Sequence, residues 1–178
     1  NAGGIMKKSI VLTDMLDFKP YVDQTKVFRR YFSDENIELV AIYTSILSFK
    51  GLFTLLFLPL KPITKKYINI GIKVRGISVL NFLCNYFSNK QSYETKADVL
   101  EITYKNIIIG DLVYDSYLRV RGVATVDLED KYIHFLISLA ITIIDYLEDL
   151  QDQVNIEKVV LSHAVYVQYG VIARYAAE

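Results

Sequence analysis

The chain predicts an α/β fold: a Rossmann-like, mainly parallel sheet with helices on both faces and one small β-hairpin. Three observations predict it. Apolar, β-branched runs of strand length recur at Ser9–Leu12, Ile37–Tyr43 and Val159–Leu161, each bounded by polar residues. Amphipathic stretches with helical spacing lie between them. The last run passes through Ser162-His163 into renewed helical spacing from Val165, the strand–turn–helix unit of open α/β sheets.

Composition narrows the class. With 178 residues, 52% of them hydrophobic, the chain has the size and the apolar content for one domain with a substantial core. Twenty basic and twenty acidic residues cancel, which leaves no electrostatic case for nucleic acid as a partner. The single cysteine, Cys84, has no internal disulfide partner, and this points to a reducing compartment. Two histidines and one cysteine are too few and too scattered for a metal cage. Residues 1–5 read as a leader, with Asn1-Ala2 the remnant of a tag and Met6 a native start. Residues 6–178 then form a single Rossmann-like domain. The apolar run after Met6 is shorter than a secretory signal needs.

Taken in order, Ser9–Leu12 is the first strand and closes on Thr13-Asp14. A helix spans about Pro20–Phe32, with Val22, Val27, Phe28, Tyr31 and Phe32 as its apolar stripe. Ser33–Asn36 breaks it, and Ile37–Tyr43 is the second strand. No glycine-rich turn follows the first strand, so the dinucleotide fingerprint is missing. Ile46–Leu60 is the most hydrophobic stretch, interrupted by Lys50 and Gly51 and closed by Pro59 and Pro62. It is too short and too broken to span a bilayer, which takes about 20 apolar residues. Lys61, Lys65 and Lys66 follow it. An apolar face with a basic flank suits a helix lying on an anionic membrane surface, and the same residues suit a core helix followed by a solvated basic loop.

Further on, Tyr67–Val74 holds a third strand and Ile77–Phe87 a helix that carries Cys84 inward. Lys90–Ala97 is a polar connector. Val99–Tyr104 and Ile107–Gly110 form a hairpin around Lys105-Asn106. Asp111–Arg121 is helical at its centre. The longest helix covers about Leu128–Leu150, with Asp127 and Asp130 supplying its cap and first-turn acids. Its apolar positions, Tyr132, Phe135, Leu136, Leu139, Ile143, Tyr146 and Leu147, make a wide face for packing against the sheet. The final helical pattern still runs at Glu178, which predicts a part of a larger protein.

Two segments resemble a known family. Tyr104–Arg119 (YKNIIIGDLVYDSYLR) resembles the YxGxxIGDLxYDxYLR segment of bacterial surface-carbohydrate and capsular polysaccharide biosynthesis proteins. Ser162–Ala176 (SHAVYVQYGVIARYA) is similar to the strand–turn–helix that follows it there. The resemblance covers about Leu100–Glu178. Asn106 stands where the family pattern has glycine, and asparagine also tolerates a left-handed turn. Those proteins look like GT-B glycosyltransferases, whose amino-terminal domain holds the acceptor and whose carboxy-terminal domain holds a nucleotide sugar. The resemblance implies that this chain is the acceptor-side half, inactive alone, with no cofactor of its own and the nucleotide sugar on a missing donor domain. It also implies a glycan or lipid-linked acceptor and a cytoplasmic location at the inner face of the plasma membrane.

Within that reading His163, between strand end and helix start, is a candidate base for an acceptor hydroxyl; the bland alternative is a histidine that satisfies loop carbonyls. Asp111, Asp115 and Arg119 share one helical face at spacings of four. They are candidates for binding acceptor hydroxyls or phosphate, while Asp115 and Arg119 also have the spacing of a surface ion pair. Tyr166 and Tyr169 are candidates for stacking on sugar rings, as are Tyr114 and Tyr117, although most of the fourteen tyrosines belong to core or rim. Arg174 reads as an ion-pair partner for an acid. A rival class, a non-catalytic α/β domain that binds a ligand or partner, fits the same elements.

Overall fold

The computed structural model describes residues 8–13, 37–43, 72–89, 91–161 and 163–178. Along the chain come β1 (Lys8–Thr13), β2 (Ile37–Tyr43), β3 (Ile72–Gly76), α1 (Val79–Ser88) and α2 (Lys96–Leu100). Then follow β4 (Thr103–Tyr104), β5 (Ile107–Ile108), α3 (Gly110–Arg121), α4 (Tyr132–Gln153), β6 (Val154–Val160) and α5 (Val167–Tyr175). The fold is mixed α/β. The expected helices at Pro20–Phe32 and Ile46–Leu60, and Lys61, Lys65 and Lys66, lie outside the described residues. No helix among the described residues is long and apolar enough to cross a membrane.

Four parallel strands form one sheet in the order β3-β2-β1-β6. In register, Val11 faces Leu39 and Leu12 faces Val40, and Leu39 in turn faces Ile72. On the other side Ile10 faces Ile156 and Val11 faces Lys158. Glu157 is therefore the extra residue of a local irregularity. Ile10, Val11 and Leu12 are buried in succession. Successive side chains point to opposite faces of a sheet, so both faces of β1 are covered, the rule for parallel strands. The last strand begins five residues before the expected Val159. Its first half alternates half-buried with exposed positions, so it has no continuous apolar run to announce it.

The hairpin turns at Lys105 (φ 49°) and Asn106 (φ 68°), with Tyr104 opposite Ile107. Two consecutive left-handed residues make the tight turn whose twist suits a two-residue hairpin. Its strands are shorter than expected at both ends. Val99 and Leu100 belong to α2 instead, because Thr95 and Asp98 form a reciprocal capping box that holds the chain helical. Ile109 and Gly110 lead straight into α3, and both their N–H groups donate to the Ile102 carbonyl, at 2.9 and 3.0 Å.

Helix α3 has Asp111 in its first turn, Arg119 and Arg121 in its last, and ends on the left-handed Gly122, each in the position that capping and the helix dipole favour. Helix α4 starts four residues after the expected Leu128, since Asp127 and Asp130 spend their carboxylates on the preceding turn. Asp127 accepts from Glu129 N–H at 3.1 Å and Asp130 from Tyr132 N–H at 2.9 Å. Every residue from Leu136 to Ile144 is buried, so the middle of α4 is enclosed on all sides rather than along one wide face. Its two buried hydroxyls cost little, because Ser138 donates to the His134 carbonyl and Thr142 to the Ser138 carbonyl, both at 2.7 Å.

Cys84 is exposed, contrary to the inward position expected for it. Helix α1 turns Phe82 towards α4, where its ring meets Phe135 at 5.1 Å. Two residues further round, at about 200°, Cys84 must point away. Helix α5 ends at Tyr175, before the chain does.

Candidate functional site at the carboxyl end of the sixth strand

The strand order determines where a ligand site belongs. From β1 the chain builds outward through β2 to β3, then returns to place β6 on the opposite side of β1. Ligands of open α/β sheets bind outside the carboxyl ends of the two strands at which the order reverses. Those strands are β1 and β6. The described residues that follow β6, 161 and 163–166, thus lie nearest that position.

Their geometry is unusual. Tyr166 has φ 65° and ψ 158°, a conformation that glycine favours and that costs another residue about 1–3 kcal/mol. The fold holds it there from both sides. The Tyr166 carbonyl accepts from Gly170 N–H at 2.7 Å. The N–H of the next residue, Val167, donates to the buried Ser116 hydroxyl of α3 at 2.8 Å. A Cβ on Gly170 would lie 2.5 Å from the Leu112 side chain, so α5 sits close against α3, and a larger residue there would have to displace the Leu112 methyls.

This docking brings distant residues together. Asp115, Leu118 and Arg119 from α3 and Val165 and Tyr166 from the loop line a shallow depression of about 340 Å³. The exposed His163 stands beside it, its ring edge-on to Tyr166 at 6.4 Å and to Tyr169 at 4.1 Å. Among the described residues Asp115 and Arg119 form no ion pair with each other. The depression therefore offers a carboxylate, a guanidinium, an aromatic face and a neighbouring imidazole.

Other candidates are placed differently. Tyr169 is buried under His163. Tyr117 is also buried and donates to Asp130 at 3.0 Å, while Tyr114 bonds Thr125 at 3.4 Å. Asp111 is held by Arg174, which donates to its two oxygens at 2.6 and 2.5 Å and also to the Ile108 carbonyl. Arg174 thus has the acidic partner its position suggested. This forked pair fastens the end of α5 to the start of α3, one helical turn before Asp115.

The Arg174 hydrogen bonds hold the Asp111 carboxyl below its ordinary value of 3.8, against the opposing effect of burial. At Asp130, burial pushes the carboxyl up, but the Tyr132 N–H, Arg121 and Tyr117 together hold it below 3.8. A carboxylate depressed in the folded state adds stability above its unfolded pKa and loses it as pH falls through the folded one. The melting temperature is therefore expected to fall as pH drops below about 4, and Asp111→Asn to flatten that fall while lowering the plateau at neutral pH. A thermal melt series against pH checks both.

Two further cavities escaped the sequence reading. One, of about 430 Å³, lies between the hairpin turn, the end of α4, β6 and α5. There Lys105 pairs with Asp145 at 2.8 Å and with Glu148. The Asp145 and Glu148 hydrogen bonds push the ammonium well above its ordinary pKa. The other, of about 580 Å³, is walled by Tyr86, Phe87, Tyr93 and His134. No local pattern marks either, since each draws on stretches far apart in the sequence. Among the described residues no cluster of three or more His, Cys, Asp or Glu side chains has the arrangement of a metal site. Comparison with known protein families, curated proteins and solved structures gives no match to this chain.

Proposed function

We propose that this chain is the acceptor-binding, amino-terminal domain of a GT-B glycosyltransferase of bacterial surface polysaccharide biosynthesis. The observation that carries the reading is the meeting of Asp115, Arg119 and Tyr166 in one depression, with His163 beside it, at the edge where an α/β sheet binds ligands. The parallel order β3-β2-β1-β6 has the pattern of the first half of a Rossmann sheet. The buried succession Ile10–Leu12 favours helices on both faces.

In this reading Tyr166 stacks on a sugar ring, Asp115 accepts hydrogen bonds from its hydroxyls, and Arg119 takes the phosphate of a lipid-linked acceptor in its fork. His163 accepts the proton of the acceptor hydroxyl as that oxygen attacks the anomeric carbon and the nucleoside diphosphate departs. The nucleotide sugar is carried by a separate donor domain, so the chain alone transfers nothing. The acceptor places the protein on the cytoplasmic side of the membrane.

Calorimetric titration with a hexose phosphate and with a nucleotide sugar tests this. The hexose phosphate should bind, weakly and saturably. Arg119→Ala should weaken it about tenfold, the worth of one charged hydrogen bond, and Tyr166→Ala about fivefold through lost stacking. Micromolar affinity for the nucleotide sugar would put the donor site in this domain and overturn the assignment. Hexose phosphate binding that neither substitution weakens would remove the depression from consideration.

A further inference from the structure

The cavity between α1 and α4 has the make-up of a second binding site. About 580 Å³ in volume, it falls in the range of small-molecule pockets, which are mainly apolar with a few convergent polar groups. Tyr86 and Phe87 come from the end of α1, Tyr93 from the connector that follows, and Leu128, Glu129, Lys131 and His134 from the turn into α4 and its first turn. The walls are aromatic. Phe87 is 65% exposed although its ring lies 5.5 Å from that of Tyr86, and Tyr93 is tilted over His134 at 6.2 Å.

His134 supplies direction. Its Nδ1 is covered by protein and has no hydrogen-bond partner. A covered N–H without an acceptor is costly, so a ring hydrogen belongs on Nε2, which makes His134 a donor among the residues that line the cavity. Lys131, on the rim, has no ion-pair partner among the described residues. One imidazole and one ammonium therefore line the same cavity as three aromatic rings, against the single carboxylate of Glu129.

We infer that this cavity binds a small, flat aromatic ring bearing a carboxylate, the ring stacked among Tyr86, Phe87 and Tyr93 and the carboxylate held by His134 Nε2–H and Lys131. The site shares no lining residue with the depression at Asp115 and Arg119, so it stands whether or not the acceptor reading does.

The chain has no tryptophan, which gives a clean measurement. Indolepropionic acid, excited at the red edge of its absorption where tyrosine is silent, reports its own binding through fluorescence anisotropy. Titrating the intact chain into it should give a saturable rise. Neutral indole should bind about tenfold more weakly, for want of the charged hydrogen bonds. Lys131→Gln, on the exposed rim, should cost indolepropionic acid about fivefold and leave indole unchanged. His134→Phe removes no hydrogen bond between the side chain and the protein; it should keep the ring-binding of indole and lose the preference for the acid. Arg119→Ala should change nothing. The absence of saturable binding, equal affinity for acid and indole, or a Lys131→Gln variant that binds the acid as tightly as the parent would each overturn the inference.

Discussion

Gly110→Ala is expected to destabilise the fold by about 3 kcal/mol or more, at the upper end of what overpacking costs. A Cβ at this position would lie 2.1 Å from the Val99 carbonyl oxygen and 2.4 Å from that of Leu100. Both obstacles are backbone, at the end of α2, and neither swings aside as a side chain does. The chain crosses itself here because the N–H groups of Ile109 and Gly110 share the Ile102 carbonyl. Relieving the clash would break those bonds and shift the start of α3, and with it Asp111 and its pair to Arg174. Urea denaturation followed by far-UV circular dichroism measures the loss. A change below about 1 kcal/mol would mean that the crossing is looser than described.

Leu139→Ala should cost about 2–5 kcal/mol, the range for emptying a fully buried leucine. Leu139 is 0% exposed and sits at the middle of the nine-residue run of α4 that is enclosed on every side. Contacts with α1, α3 and α5 surround this helix, so collapse into the void would have to move several elements at once. Cys84→Ser makes the contrast. On the exposed side of α1, it should change stability by no more than about 0.5 kcal/mol. Had Cys84 faced the core, its hydroxyl replacement would have carried the penalty of a buried polar group.

Much of the local structure was legible because the deciding interactions are local. Lys105-Asn106 announces a two-residue turn between two short β-type runs, and the left-handed angles of both residues follow from that turn. Asp111 and Gly122 bracket α3 by the chemistry of helix ends. The strand Ile37–Tyr43 is read to the residue, since its β-branched run stops at polar neighbours. The spacing of Asp115 and Arg119 on one helical face is likewise a matter of 3.6 residues per turn. Where two local signals competed, the stronger was harder to see. Val99 has the look of a strand, but the Thr95–Asp98 capping box lies outside the apolar run and wins.

By itself, then, the sequence determined the strand Ile37–Tyr43, the hairpin turn and the extent of α3, because propensity, turn geometry and capping act within a few residues. The tertiary structure alone decided the rest. That β6 pairs with β1 rather than β3 sets the place where the strand order reverses, and pairing depends on residues more than a hundred positions apart. That Arg174 takes Asp111 and leaves Arg119 open to the depression depends on how α5 docks on α3. The aromatic cavity over His134 arises only when α1 and α4 pack. Each of these is a meeting of surfaces, and a surface has no signature until the chain has brought its parts together.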